Sequence, residues 1–468
     1  MKPHRWLGWL AAAIILGACS DRTRHAGTVR QGPSSPPSFW VWHRRSDLTE
    51  VERATLGRAG VNRFYWQVAE CEWRGGKWHS TEIARNLENS GKIAVIPVFR
   101  IKPGAEFLGD PGSAAALARQ IQAWWNRPEP LAEVQFDFDC PARVLTEYAR
   151  FLAEMKPLLA PARISATALA SWPQVAGFDR LARTADALVP MFYDLASDEP
   201  ADVLDGRYKP LADAEAARWI GLWRDCPAPW FAGLPNFERV SVFQPDGGLS
   251  GHLRGWNHDG VLFHPALSGR AAGPGVVEFR VENGATLSGT RVVPGQRVVW
   301  RTTDEDSLRR LGKAAVDAGA RGVVYFALPG PGLQAAFSAS HLTAPPDASP
   351  GLTAYRTPDG AVVLENLGPR DLPARAIDPD APGERGWALV LEAPARGAFR
   401  EATPGEFLTT QTGGGLPAEE TTCLVLRFSR LPAGAVIRSG PCVARASGVR
   451  WQLKGSGLPV ALDEPEID

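Results

Sequence analysis

The sequence predicts an α/β chain: a (β/α)8 TIM barrel with a β-hairpin inserted before its last helix, followed by a C-terminal antiparallel β-sandwich. Three observations carry this expectation. Eight short apolar runs alternate with amphipathic stretches between Phe39 and Leu328. Between the seventh run and the last helix, β-branched residues surround Asn283-Gly284 and Pro294-Gly295, which are hairpin and turn signals. Beyond Gly351 the helical period disappears, and alternating runs such as TTCLVLRF are separated by Gly and Pro.

Taken in order, the expected strands are Phe39 to His43, Val61 to Val68, Ile93 to Arg100, Val134 to Asp139, Ile164 to Leu169, Ala187 to Asp194, Trp230 to Phe237 and Gly322 to Leu328. Helices are expected from Asp47 to Arg58, Thr81 to Asn89, Ser113 to Trp125, Val144 to Leu159, Phe178 to Arg183, Ala212 to Asp225 and Ser307 to Ala318. The expected domains are a signal peptide over 1–18, a tether over 19–37, the barrel over 38–345 with its insertion at about 240–303, and the sandwich over 346–468.

Composition narrows the function. The chain has 468 residues, with 51 basic and 51 acidic side chains. That balance argues against a nucleic-acid partner, which normally draws a basic excess. No GxGxxG or GxxxxGK[ST] follows a strand, so no nucleotide cofactor is expected. No CxxC and no Cys/His cluster has metal spacing, so no metal is expected either.

The first segment reads as an address. Lys2 and Arg5 precede an apolar run, Trp6 to Ala18, that is shorter than the roughly 20 residues needed to span a bilayer. It ends Leu16-Gly17-Ala18-Cys19, which resembles a lipoprotein signal with Cys19 as the lipidated first residue. The polar stretch from Asp21 to Ser38 then serves as a tether. The expectation is an exported lipoprotein held by its lipid on a membrane, with Ser20 resembling an outer-membrane sorting signal. An oxidising compartment permits disulfides, and Cys423 with Cys442 is the expected pair.

Chemistry is expected at the C-terminal ends of the strands, where barrel sites lie. In Gln135-Phe136-Asp137-Phe138-Asp139, alternate residues share a face, so both carboxylates point to the axis and both Phe rings to the helices. Two acids two residues apart repel each other, and one should hold its proton to a higher pH. Asp139 lies nearer the strand end and is the first choice for general acid, with Asp137 holding it from below. Tyr193 and Asp194 end the sixth strand. Tyr193 would bind the substrate, and Asp194 would orient it or act as base. Trp40, Trp42 and Trp172 are candidate stacking platforms for sugar rings, with His43, Glu70, Arg100 and Asn236 as polar contacts.

The segments FWVWHR (Phe39 to Arg44), QFDFDCP (Gln135 to Pro141) and TALASW (Thr167 to Trp172) resemble the domain-of-unknown-function 3142 family of bacterial proteins, which implies a glycosidase-type barrel over roughly Phe39 to Pro329. A more distant resemblance is to the chitinase-like family 18 glycoside hydrolases. Asp137 and Asp139 fit two acids of that family's fourth-strand motif, Met191-Phe192-Tyr193-Asp194 its sixth strand, and Gly233-Leu234-Pro235 its seventh. The resemblance implies carbohydrate as ligand. It breaks at Val134 and at Pro141, where the family carries its first Asp and its catalytic Glu. Either Asp139, Asp194 or Glu70 then serves as acid, or the protein binds glycan without cleaving it, as an envelope lipoprotein that keeps the barrel as scaffold.

One outcome follows from the leader alone. Mass spectrometry of the membrane-fraction protein should find an N-terminal Cys19 carrying acyl chains. A Cys19→Ser chain that stays membrane-bound through its N-terminus would refute that.

Overall fold

The computed structural model describes residues 36–85, 93–212, 214–330, 333–377, 385–444, 448–454 and 461–462. The leader, Cys19 and most of the tether lie outside these described residues.

Eight parallel strands close into a barrel: Ser38–Val41, Arg63–Arg74, Ala94–Ile101, Glu133–Asp137, Arg163–Leu169, Ala187–Met191, Ala232–Pro235 and Val323–Phe326. Closure is made by the first strand. Phe39 pairs with Phe64 of the second strand on one side and with Tyr325 of the eighth on the other. All eight strands fall on expected runs. Apart from the one expected from Thr81, the expected helices also form, among them Glu50–Arg58, Ser113–Trp125, Leu145–Leu159, Phe178–Thr184 and Glu305–Asp317.

The face assignment of the fourth strand holds. Phe136 and Phe138 are buried in the layer between strands and helices, against Phe107, Tyr148 and Phe151. Gln135 faces the axis, where it accepts the Trp40 indole N–H at 2.7 Å. The barrel interior is filled by Trp40, Tyr65, Ile96, Val98, Val189 and Val324.

Three expectations change. The helix expected from Thr81 begins instead as strand: Lys77–Glu82 turns back on the second strand across Gly75-Gly76. Residues 86–92, the rest of that expected helix, lie outside the described residues. The insertion is larger than a hairpin. Val276–Val281 and Arg297–Arg301 do pair, with a small hairpin at the tip formed by Ala285–Leu287 and Thr290–Val292. They form the centre of a five-stranded antiparallel sheet completed by Leu249–His252, Arg239–Phe243 and Leu267–Gly273. Its own apolar core includes Val240, Trp256, Phe279 and Val298. Finally, Cys423 and Cys442 are free thiols. Cys442 is buried against the Ser439 hydroxyl at 3.5 Å, while Cys423 opens a strand opposite Glu392.

After the barrel come two four-stranded sheets. One comprises Leu352–Arg356, Val362–Asn366, Val436–Arg438 and Ala461–Leu462; the other comprises Thr409–Thr412, Cys423–Phe428, Trp387–Glu392 and Arg450–Lys454. All their pairings are antiparallel except that of Ala461–Leu462 with Leu352–Arg356. Leu352 and Leu364 of the first meet Leu389 and Leu426 of the second in one apolar core.

A polar clamp joins the last barrel helix to this region. Glu305, in the helix's first turn, pairs with Arg370 and lies 3.4 Å from His341 Nε2. His341 Nδ1 accepts the Asp371 N–H at 3.1 Å, which leaves Nε2 as the protonated nitrogen facing Glu305. The proximity of His341, with Arg370 helping and burial opposing, brings the Glu305 carboxyl down to about 2. A carboxyl held below its ordinary value of 4.5 stabilises the fold fully above that value and loses its contribution as pH falls toward 2. Glu305→Gln should therefore lower the thermal midpoint near neutrality, and the gap to wild type should shrink between about pH 5 and about pH 2. A gap independent of pH would contradict the clamp.

Candidate active site at the barrel mouth

The C-terminal ends of the strands surround a cavity of about 580 Å³. Its walls include Trp40, Trp42, Arg100, Asp137, Asp139, Thr167, Tyr193, Asp194, Trp219 and Phe326. Seven of the expected site residues are thus brought together by strands one, three, four and six.

Asp137 is the last residue of the fourth strand and only 9% exposed. Its Oδ1 accepts the Thr167 hydroxyl of the fifth strand at 2.8 Å. Its Oδ2 is 4.0 Å from Nε of Arg100, its register partner on the third strand. Burial and, second, the nearby Asp139 raise the Asp137 carboxyl to about 6, against the pull of Arg100 and Thr167. Asp139 has left the strand and is exposed on the cavity wall. Its carboxylate makes no hydrogen bond or ion pair among the described residues. The repulsion expected within the pair is present, and the proton-holding member is Asp137, because desolvation acts on the deeper of the two.

Arg44 does not reach this pair; it closes on Glu52 at the first helix. Arg100 stands with its guanidinium 5.9 Å from the Trp42 ring centre. Trp40 and Trp42 both turn ring edges toward Phe326, at 6.1 and 5.5 Å. Trp40 fits only because residue 233 is glycine: a Cβ there would lie 2.9 Å from Trp40 Cη2 and from the Pro190 carbonyl oxygen.

Tyr193 stacks on Phe326 at 5.8 Å and meets Phe237 edge-on. Burial, then Asp137, Asp194 and Asp139, push its phenol well above the ordinary value, so it stays a hydrogen-bond donor. Asp194 follows in the left-handed region, at φ 53°, its N–H on the Leu211 carbonyl. Both its oxygens are taken by Arg239 of the insertion, at 2.6 and 2.7 Å. A carboxylate held by both oxygens is not a free base, so the base role expected of Asp194 gives way to a structural one.

Four other expectations end elsewhere. Trp172 is fully buried behind the fifth strand against Tyr148 and offers no stacking face. Asn236 is fully buried and bonds only to the backbone of Ala327 and Phe337. Glu70 lies 3.7 Å from Lys102 Nζ, away from the cavity wall. His43 sits in the left-handed region with its N–H on Gln67. Desolvation lowers its pKa against the pull of Glu70, with Arg100 and Arg254 adding to the lowering.

Sequence reasoning missed Thr167, Trp219, Phe326 and Arg239. Strand alternation in Ile164 to Leu169 and in Gly322 to Leu328 could have supplied Thr167 and Phe326. Trp219 arrives from the helix Ala214–Gly221 and Arg239 from the insertion, and no local signal marks either. Among the described residues, no three His, Cys, Asp or Glu side chains converge as metal ligands.

Closed barrel and acidic, aromatic mouth define a (β/α)8 protein with a cavity at the strand ends. Residues 93–247 match the family described as Domain of unknown function (DUF3142), a stretch running from the third strand into the insertion. No curated protein matches. Among solved structures, the spore cortex-lytic enzyme SleL of Bacillus cereus is similar at 14% identity and TM-score 0.40, over 64% of this chain and 71% of that one. A family 18 N-acetylglucosaminidase from Paenibacillus barengoltzii is similar at 12% identity and TM-score 0.41, over 63% and 95%. A chitinase from Bacillus thuringiensis is similar at 10% identity and TM-score 0.40, over 90% and 100%.

The carboxyl pair makes a directional prediction. Asp139→Asn should lower the Asp137 pKa, and Thr167→Val should raise it, as followed by carboxyl-carbon NMR titration. Movement of either in the opposite sense would mean that the stated causes are wrong.

Proposed function

We propose that this protein is an exported, lipid-anchored enzyme of glycoside hydrolase type that acts on an envelope or environmental polysaccharide. The observation that carries the reading is a buried carboxyl, Asp137, raised to about 6 beside an exposed one, Asp139, on the wall of an aromatic-lined cavity. Two acids whose surroundings separate their proton affinities can divide acid and base work. In this assignment Asp137 gives its proton to the glycosidic oxygen as the bond breaks. Water attacks the anomeric carbon and passes its proton to Asp139. Trp42 and Phe326 hold the ring, and the Tyr193 phenol donates to a sugar oxygen. Burial reverses the order suggested by sequence, which favoured Asp139 as acid.

A second reading has its own support. Pro141 stands where the resemblance places the catalytic acid, and Asp194 is closed by Arg239. Both features suit a lipoprotein that binds glycan without cleaving it.

Release of reducing ends from a panel of bacterial and plant polysaccharides separates the two. On the hydrolytic reading, Asp137→Asn lowers turnover about 10²–10⁴-fold without loss of folding. Wild-type turnover falls as pH rises through about 6, because the acid must be protonated. Tight glycan binding with no turnover by wild type replaces hydrolysis with binding. Affinity for no glycan removes both readings.

A further inference from the structure

We infer that the mouth cavity selects a glycan bearing free, protonated amino groups, a hexosamine chain without N-acyl caps. The inference rests on the glycan reading above and names its substrate class.

Charge and ring placement carry it. Trp40, Trp42, Tyr193, Trp219 and Phe326 wall the cavity, and aromatic faces attract cations as well as sugar rings. Trp42 already has the Arg100 guanidinium near its ring. Of the charged groups on the wall, most are matched. Arg239 takes both oxygens of Asp194. Arg100 stands by Asp137, which Thr167 also holds. Just beyond the third strand, Lys102 is shared by Glu70 and Glu72 at 3.7 and 3.9 Å. Arg254 bears on His43 and is not part of the cavity wall.

The group left over is Asp139, an exposed carboxylate with no ion pair or hydrogen bond among the described residues. It leaves one exposed carboxylate without a cationic partner beside aromatic faces. A neutral sugar leaves that charge unmatched. An anionic sugar meets it as a like charge, while Arg239 is held by Asp194 and Arg100 stands 4.0 Å from Asp137. An ammonium matches it and gains the ring faces as well.

The test is calorimetry on the mature protein in detergent. The probes are glucosamine tetramers in β-1,4 and β-1,6 linkage, and the same tetramers after chemical N-acetylation. The amine form of one linkage should bind about tenfold or more tightly than its acetylated twin at low salt, a preference that weakens as salt rises. Asp139→Asn should erase the preference, so that the amine form binds no more tightly than its acetylated twin. Equal affinity for the twins, or a preference that survives Asp139→Asn, overturns amine selection and leaves the glycan reading intact. Binding to other glycans of the panel but to neither tetramer also overturns it. Binding to no glycan at all takes the glycan reading down with it.

Discussion

The alternation of one short strand organises the mouth. Phe136 and Phe138 are fixed among the helices by Phe107, Tyr148 and Phe151, so Gln135 and Asp137 have no choice but the axis. A slip of one residue would send two carboxylates into an apolar layer and two Phe rings into the cavity, which the buried aromatic contacts forbid. The raised proton affinity of Asp137 is therefore a consequence of packing on the far side of the sheet. The same packing draws Trp40 onto Gln135, and Trp40 in turn demands glycine at 233.

Legibility in the sequence tracked how regular each element is. Barrel strands flanked by amphipathic helices could be read because both periods repeat over several residues. Lys77–Glu82 could not: it is polar and exposed, with Trp78 its one buried side chain, so no alternation marks it. The insertion's extra strands were lost for another reason. Leu267–Gly273 is mostly Gly, Ala and Ser, and Leu249–His252 is only four residues long.

The site followed the same logic. Residues inside strands reach the cavity wall by alternation, as with Asp137, Trp40 and Arg100. Trp172 and Asn236 lie just beyond strand ends, where the two-residue phase no longer applies, and both turned away from the mouth. Trp219 and Arg239 reach the region from elements distant in sequence, which no local pattern can reveal.

The insertion braces the segment that follows the sixth strand. Arg239 grips Asp194, and Arg301, itself 1% exposed, holds Asp198, the Lys209 carbonyl and the Ser241 hydroxyl. A loop pinned at 194, 198 and 209 by a separate sheet has little freedom to swing. The entrance is consequently a preorganised aperture. Its outline is set by the fold before anything enters it.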